Sequence, residues 1–170
     1  LVAAALDAQE LLLALYLLLG FSCLLRPAEV LSLHWGDLIW VGEPNSAMIV
    51  RIRNPKTTWA RVQHVLLEHF GIAVFAEALR GKSPPYKSSF PWSCWVLSKK
   101  WFHLVATLGI SSIPLQSEGR FHKVWTPGSL RSGGATFDYL THQNLSRLQW
   151  RGRWRVQSTL EHYVQLAVFY

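Results

Sequence analysis

Acidic side chains are scarce in this sequence. Its 170 residues include 10 Asp and Glu against 17 Lys and Arg, so the formal net charge is +7 and the sequence pI is near 9.8. Such a charge favours a polyanionic partner, with nucleic acid first and an anionic membrane surface second. Charge alone does not choose between these two partners.

Cysteine is also scarce, with Cys23 and Cys94 as the only two. Two cysteines exclude a disulfide framework and fit a reducing compartment. The seven histidines never occur as His-x-x-x-His, and Cys-x-x-Cys does not occur either. The sequence therefore predicts no metal site.

Long hydrophobic runs are missing as well. Residues 11–25 carry no charge, but a membrane span needs ~20 apolar residues. Asp7, Glu10 and Arg26 bracket this shorter run. We therefore expect a helix that is buried on all sides, with a membrane-associated basic protein as the alternative. No positively charged segment precedes the run, so it is not typical of a signal peptide.

The residues that are present indicate one globular domain. Hydrophobic residues make up 50% of the chain, which excludes disorder, and the length suits a single core. Periodicity, turn residues and caps predict an α+β fold, mainly α-helical with a small antiparallel β-hairpin. The predicted helices cover residues 1–23, 27–33, 66–81, 94–108, 127–140 and 145–150, and a last helix starts from a capping box at 158–161. The hairpin pairs residues 47–53 with 61–66, and residues 82–92 form a loop.

One stretch of the chain carries residues suited to phosphate chemistry. Arg131 follows Thr126 and Pro127, which are typical of a helix start, and Trp154 precedes Tyr163 by nine residues. An arginine fork clamps the non-bridging oxygens of a phosphate, an indole donates to one of them, and a phenolate attacks the phosphorus. Together these side chains predict an enzyme that forms a covalent phosphotyrosyl link.

These residues resemble the catalytic domain of the tyrosine recombinases, the integrase class that includes phage integrases, the Xer proteins and Cre. The pattern of that family is an early Arg followed three residues later by an acid, a hairpin Lys, His-x-x-Arg, a His or Trp, and a Tyr nine residues on. Five positions agree in order within residues 11–169, namely Arg26 with Glu29, Lys56, Arg131, Trp154 and Tyr163. The runs at residues 54–57 and 130–136 are similar to integrase-like genes of eukaryotic mobile elements. The spacing and compact length favour a recombinase over a topoisomerase, which shares the tyrosine chemistry.

The resemblance implies site-specific DNA recombination or integration through a covalent 3′-phosphotyrosyl intermediate. The implied roles are a nucleophile, two arginines that neutralise the phosphorane with an acid holding the first, an indole donor and a general acid. Tyr163 is the implied nucleophile, and Lys56 at the hairpin tip is the implied general acid. Arg26, held by Glu29, and Arg131 are the two implied arginines. Trp154 is the implied indole donor. Six further basic residues are expected to bind DNA: Arg51, Arg53, Arg61, Lys123, Arg153 and Arg155.

One position departs from the family pattern, because Gly128 stands where the His of His-x-x-Arg is expected. Glycine can neither position a phosphate nor manage the proton of the tyrosine. His122, Ser129 or a water molecule are the candidate replacements. Losing a general acid or base costs ~10²- to 10⁴-fold in rate. Two hypotheses therefore stay open: a recombinase, slowed by this change, and a catalytically impaired DNA-binding relic of a mobile element.

The resemblance also implies partners and surroundings. We expect double-stranded DNA as the partner, a homo-tetramer on it, and neither a membrane nor a small-molecule substrate. No cofactor or metal is expected, since the tyrosyl link keeps the energy of the phosphodiester. The expected location is the nucleus in a eukaryote and otherwise the cytoplasm or nucleoid, without secretion. Residues 1–170 are expected to be a single catalytic domain, as a fragment without the amino-terminal core-binding domain that family members usually carry.

Overall fold

The computed structural model describes residues 1–41, 47–55, 62–110, 116–117, 120–121 and 125–168. The α-helices of this part are α1 (Val2–Asp7), α2 (Leu11–Ser22), α3 (Pro27–Leu31), α4 (Phe70–Arg80), α5 (Cys94–Thr107), α6 (Ser129–His142), α7 (Leu145–Gly152) and α8 (Gln157–Val168). The strands are β1 (Leu38–Val41), β2 (Ala47–Ile52), β3 (Gln63–Leu67), β4 (Gln116–Ser117) and β5 (Arg120–Phe121). The predicted α+β class, mainly α-helical with a small antiparallel sheet, is confirmed.

Helix α2 lies at the centre of the main hydrophobic core. Leu13, Leu15, Tyr16, Leu17 and Leu19 are all buried, because the helix is apolar on every side and other elements surround it. The predicted buried helix is thus confirmed. Among the described helices, none combines the length and the apolar character needed to cross a bilayer.

The amino-terminal region is two helices, so the prediction of one helix over residues 1–23 was wrong. Gln9 has a left-handed backbone with φ of 57°, and it separates α1 from α2. A non-glycine residue in this conformation ends a helix, because the α-helical hydrogen-bond pattern cannot continue through it. Propensity alone favoured helix here, since alanine and leucine dominate on both sides of the break.

The predicted hairpin is present and belongs to a three-stranded antiparallel sheet in the order β1, β2, β3. In β2 the side chains of Met48, Val50 and Ile52 are fully buried, while Arg51 points to the other face. Val50 pairs with Leu38 of β1 and with Val65 of β3. The strand β1 was not predicted.

A second hydrophobic cluster joins α6, α7 and α8. Its buried members are Leu24, Ala135, Leu148, Trp154, Leu160 and Val164. This cluster fixes the carboxyl-terminal helices against the end of α2. It therefore determines where the side chains of α6 and α7 lie relative to the segment that follows α2.

Several predicted helix starts were displaced. Strand β3 ends at Leu67 and α4 begins at Phe70, so the helix predicted from residue 66 starts later. Helix α6 begins at Ser129 rather than at Pro127, with Gly128 as its N-cap and no side-chain cap. Helix α8 begins at Gln157, so the predicted capping box at residues 158–161 lies inside the helix.

Candidate active site

A buried carboxylate, that of Glu29, connects two distant parts of the chain. Glu29 lies in α3 and is only 4% exposed. Its Oε1 accepts from Nη1 of Arg26 at 2.8 Å, and its Oε2 accepts from Nη2 of Arg153 at 2.8 Å. The residues Glu29 and Arg153 are separated by 124 positions in sequence. The carboxylate therefore holds two guanidinium groups side by side.

The local sequence explains the position of Glu29. Pro27 starts α3, and Oε2 of Glu29 reaches back to accept the backbone N–H of Arg26 at 2.8 Å. This contact satisfies a free N–H at the helix start, and the negative charge is favourable at that end of the helix dipole. Burying the carboxylate is tolerated because both of its oxygens accept charge-assisted hydrogen bonds.

Arg131 extends the cluster from α6. It is 6% exposed, and its guanidinium donates through Nη1 to the carbonyl of Leu24 and through Nη2 to the carbonyl of Gly152 at 2.6 Å. Nη2 of Arg153 also lies 3.4 Å from the Leu24 carbonyl. One backbone carbonyl therefore links Arg131 with Arg153, and through Glu29 with Arg26.

Trp154 forms one wall of this cluster. Its ring stacks against Arg131, with 4.4 Å between the guanidinium carbon and the ring centroid, which is cation–π geometry. The ring also lies against the end of α7, where a Cβ on Gly152 would be 1.6 Å from Cζ3 of Trp154. Only glycine at position 152 leaves room for the indole to pack beside Arg131.

The cluster has an excess of positive charge. Arg26 and Arg153 pair with the carboxylate of Glu29, and Arg131 joins them through the Leu24 carbonyl that it shares with Arg153, so the cluster contains three guanidinium groups and one carboxylate. Burial raises the pKa of the Cys23 thiol to about 12, despite the opposing effect of the Arg151 and Arg153 charges. The thiol is neutral at pH 7 and does not offset the excess.

The surroundings of Arg153 shift its pKa. Burial is the largest effect, and it lowers the pKa of Arg153 below its usual value. Attraction to Glu29 raises the pKa and only partly offsets burial, while repulsion by Arg26 lowers it further. Arginine remains protonated near neutral pH even so. Nε and Nη1 of Arg153 are buried and have no hydrogen-bond partner among the described residues. Arg153 also lines a groove of about 370 Å³ between β3 and α7.

The structure brings together five of the predicted site residues, which are Arg26, Glu29, Arg131, Trp154 and Arg153. The backbone of Tyr163 lies in α8, six residues after the start of that helix, while its side chain is outside the described part. Four other predicted residues, Lys56, Arg61, His122 and Lys123, are outside the described residues. Arg155 is exposed next to Trp154.

Ser129 has a local contact at the start of α6. Its Oγ accepts the backbone N–H of Thr126 at 3.1 Å. Thr126 is typical of a helix start, but its side chain does not cap α6, and its backbone N–H donates to Ser129 instead. Gly128 is exposed, and a Cβ there would meet only Oγ1 of Thr126, at 3.4 Å.

Arg51 and Arg53 form a separate group around Asp37. Nε of each arginine donates to Oδ1 of Asp37 at 2.8 Å, and the aspartate is fully buried. Burial raises the pKa of Asp37, but the backbone N–H of His34 and the two guanidinium groups outweigh it and lower the pKa below its usual value. Sequence reasoning missed this role of Asp37. The only available signal was an aspartate that lies 14 and 16 residues before two arginines on one face of a predicted strand.

No protein-family model matches the chain, and no curated protein matches it significantly. Solved structures do match. XerH site-specific recombinase bound to palindromic difH substrate, in a post-cleavage complex, has a TM-score of 0.62 and 16% identity over 91% of this chain and 42% of that chain. Tn1549 transposon integrase in complex with transposon right end DNA has a TM-score of 0.63 and 16% identity over 88% of this chain and 53% of that chain.

The chain thus spans about half the length of the solved structures that it matches. At this level of identity the similarity establishes the fold. The helices, the three-stranded antiparallel sheet and their arrangement are those of the catalytic domain of tyrosine recombinases and integrases, and this chain has that fold.

Proposed function

We propose that this chain cuts and rejoins DNA strands through a covalent 3′-phosphotyrosyl intermediate, as a site-specific tyrosine recombinase. The observation that carries the proposal is the convergence of Arg26, Arg131 and Trp154 in one cluster, in which Glu29 holds Arg26 and Trp154 stacks on Arg131. These residues come from three separate segments of the chain, and each was assigned to phosphate chemistry from its place in the sequence. The matched structures are themselves protein–DNA complexes.

The proposed reaction is a transfer of a phosphoryl group between two alcohols. The hydroxyl of Tyr163 attacks the scissile phosphorus, so a bond forms between the phenolic oxygen and phosphorus and the bond to the 5′-oxygen breaks. The proton lost by the phenol is balanced by the proton that the leaving 5′-oxygen gains from Lys56. A free 5′-hydroxyl then reverses the step and reseals the strand. No hydrolysis occurs, and no nucleotide is consumed.

The charge of the cluster suits the transition state of this reaction. A pentavalent phosphorane carries about two negative charges, one more than the phosphodiester, so preorganised cations stabilise it more than the substrate. The three guanidinium groups that cluster with Glu29 suit that demand. Glu29 keeps the guanidinium groups fixed in advance, so that little reorganisation is needed when the charge develops.

Double-stranded DNA is the proposed partner, and the net charge of +7 favours it. We propose that several copies, four in the simplest case, act together, because exchange of two duplexes requires four strand cuts. Arg51, Arg53, Arg61, Lys123 and Arg155 stay proposed as backbone contacts. The nucleus, or the nucleoid in a cell without one, is the corresponding location.

A suicide-substrate experiment tests the proposal. The protein is incubated with nicked duplexes taken from the DNA that flanks its own gene, in which the nick lets the 5′-end diffuse away after cleavage. We expect a covalent protein–DNA band on a denaturing gel, lost in Tyr163→Phe and reduced ~10²-fold or more in Arg26→Ala. Arg80→Ala serves as the control, since Arg80 lies in α4 and pairs with Glu77. An equal band from Tyr163→Phe would refute the proposed nucleophile.

One observation favours a second function. Gly128 at the start of α6 supplies no imidazole for the phosphate or the tyrosine proton. A DNA-binding relic on the same fold would give no covalent band but would bind duplex DNA, with an affinity that falls steeply as salt rises. Binding is therefore measured on the same duplexes at 50 and 200 mM salt, and binding without a band assigns this second function.

A further inference from the structure

Helices α2 and α7 end in the same kind of turn, which is built on a left-handed residue that is not glycine. Leu24 has φ of 51° and lies just after α2, while Arg153 has φ of 60° and caps α7. In each turn the next N–H donates to the carbonyl five positions before it, which closes the helix end in a Schellman motif. Glycine is the usual residue at this position because it adopts a positive φ without strain. We therefore expect both side chains to have tasks that glycine would not perform.

The two turns present their carbonyls to Arg131. Its guanidinium donates through Nη1 to the carbonyl of Leu24 and through Nη2 to the carbonyl of Gly152, the residue before Arg153. Arg131 is therefore positioned by α2 and α7 together, and a shift of either helix end displaces it. The side chain of Leu24 is buried in the second hydrophobic cluster, which accounts for its place in one turn.

The side chain of Arg153 joins the two turns. Nη2 donates to Oε2 of Glu29 at 2.8 Å and lies 3.4 Å from the Leu24 carbonyl, so a single nitrogen contacts both groups. Glu29 in turn holds Arg26 through Oε1. The other two nitrogens of Arg153, Nε and Nη1, are buried and therefore closed to a ligand. Arg153 thus acts on Leu24 and Glu29 rather than on DNA.

We propose that Arg153 is a positioning residue, which sets the spacing between Arg26 and Arg131 for the scissile phosphate. Through Glu29 it fixes Arg26, and through the Leu24 carbonyl it fixes Arg131. This spacing matters because a misplacement of about 1 Å at a reacting group can cost ~10²-fold in rate. The proposal rests on the proposed recombinase function and adds a residue to the set that the family pattern supplies.

The test uses a variant that keeps the turn and removes the side chain. Arg153→Gly leaves a residue that suits a positive φ, so α7 should still end in the same way. Gln143→Gly is the matched control, because Gln143 is also left-handed, with φ of 48°, and is exposed at the opposite end of α6 from Arg131. Both variants relax the backbone, but only the first removes contacts to Glu29 and Leu24.

The first assay separates DNA binding from the chemical step. Adduct formation on the nicked duplex is followed at increasing protein concentration, which gives a maximal rate and a half-saturating concentration. We expect Arg153→Gly to lower the maximal rate ~10- to 10²-fold, while the half-saturating concentration changes by less than about twofold. Gln143→Gly should match the wild type in both quantities. An unchanged maximal rate, or a loss confined to the half-saturating concentration, would overturn the positioning role.

Two further variants separate positioning from a merely structural effect. Arg153→Lys should recover most of the maximal rate, because one ammonium nitrogen can contact both Glu29 and the Leu24 carbonyl as Nη2 does. In an Arg26→Ala background Arg153→Gly should cost less than it does alone, since part of its effect is exerted through Arg26. An Arg153→Lys protein as slow as Arg153→Gly, or losses that multiply in the double variant, would contradict the proposal.

Hydrogen–deuterium exchange measures the same connection without catalysis. The backbone N–H of Arg26 donates to Glu29, so a loosened carboxylate should leave this N–H open to exchange. We expect Arg153→Gly to speed exchange at residues 24–31 by ~10-fold or more and to leave α7 unchanged. A role confined to capping would instead speed exchange in α7. Unchanged exchange at residues 24–31 would overturn the proposal.

The two assays also separate this proposal from the recombinase function. If the wild type forms no adduct but exchange follows the expected pattern, the recombinase function fails and the connection between Arg153 and Glu29 stands. If the wild type forms an adduct and neither its rate nor the exchange responds to Arg153→Gly, the positioning role fails alone. If Arg153→Gly does not fold, Arg153→Gln replaces it in both assays, because it removes the charge and keeps a side-chain amide.

Discussion

The contact between α2 and α6 depends on Gly134 and gives a sharp test of the packing beneath the site. A Cβ at position 134 would lie 2.3 Å from the carbonyl oxygen of Phe21 and 2.8 Å from Cδ2 of Leu24. The neighbouring Gly133 is in the same helix, but a Cβ there would meet nothing closer than 3.7 Å, at Cε2 of Phe21. Gly134→Ala and Gly133→Ala therefore add the same methyl group, at position 134 against close neighbours and at position 133 into open space.

The expected effects have opposite signs. Alanine is favoured over glycine inside a helix by ~1 kcal/mol, and this preference adds to the free energy of unfolding of both variants. Gly134→Ala also places a methyl group against backbone that cannot move away, and overpacking costs ~1–3 kcal/mol or more. We expect Gly133→Ala to raise the free energy of unfolding by about 0.5–1 kcal/mol, and Gly134→Ala to lower it by about 1–2 kcal/mol. For a chain of this size each kcal/mol moves Tm by ~2–4 °C.

Urea unfolding followed by far-UV circular dichroism and tryptophan fluorescence measures both values. Coincident transitions would validate the two-state treatment. Gly134→Ala should also lower the adduct rate, because the Leu24 carbonyl that Arg131 contacts lies at the displaced end of α2. A Gly134→Ala protein as stable as Gly133→Ala would refute the close α2–α6 contact described above.

Three further outcomes are expected. Gly152→Ala should lower stability by about 3 kcal/mol or more and alter the near-UV circular dichroism of Trp154, since the added Cβ overlaps the indole; an unchanged Tm would contradict this packing. The pKa of Asp37 is lowered in the folded protein, so its ionised carboxylate contributes its full stabilisation of the fold at pH values above the usual aspartate pKa. This contribution is lost as the pH falls through the lowered pKa. Urea titrations from pH 7 to pH 2 should show this loss in the wild type but not in Asp37→Asn, and parallel curves would count against it. Gly128→His has room beside Thr126 and should raise the adduct rate ~10-fold or more, whereas no change would mean that the imidazole is not needed here.

Contacts that are close in sequence could be predicted. Arg26 and Glu29 are three residues apart across the start of a helix, so their pairing follows from the pattern. The β2–β3 hairpin was predicted because alternating apolar residues flank turn residues. The helix at α5 was predicted to within one residue, since it contains neither glycine nor proline and Ser93 caps its start.

Contacts between distant segments could not be predicted. Arg153 was assigned to DNA contacts, and its ion pair with Glu29 depends on how α7 packs against α3. The Leu24 carbonyl that receives Arg131 is backbone, and no residue type marks it. The left-handed residues Gln9 and Arg153 were missed for a related reason, because only tertiary packing compensates the strain that they carry.

The most direct test of the central claim is to locate the covalent bond itself. The trapped protein–DNA adduct is treated with nuclease and trypsin, and tandem mass spectrometry is applied to the peptide that begins at Val156, which follows Arg155. We predict a nucleotide on Tyr163, stable to acid as a phosphotyrosyl bond. An acid-labile adduct on the adjacent His162, or an adduct on any other residue, would contradict the assignment of Tyr163 as the nucleophile.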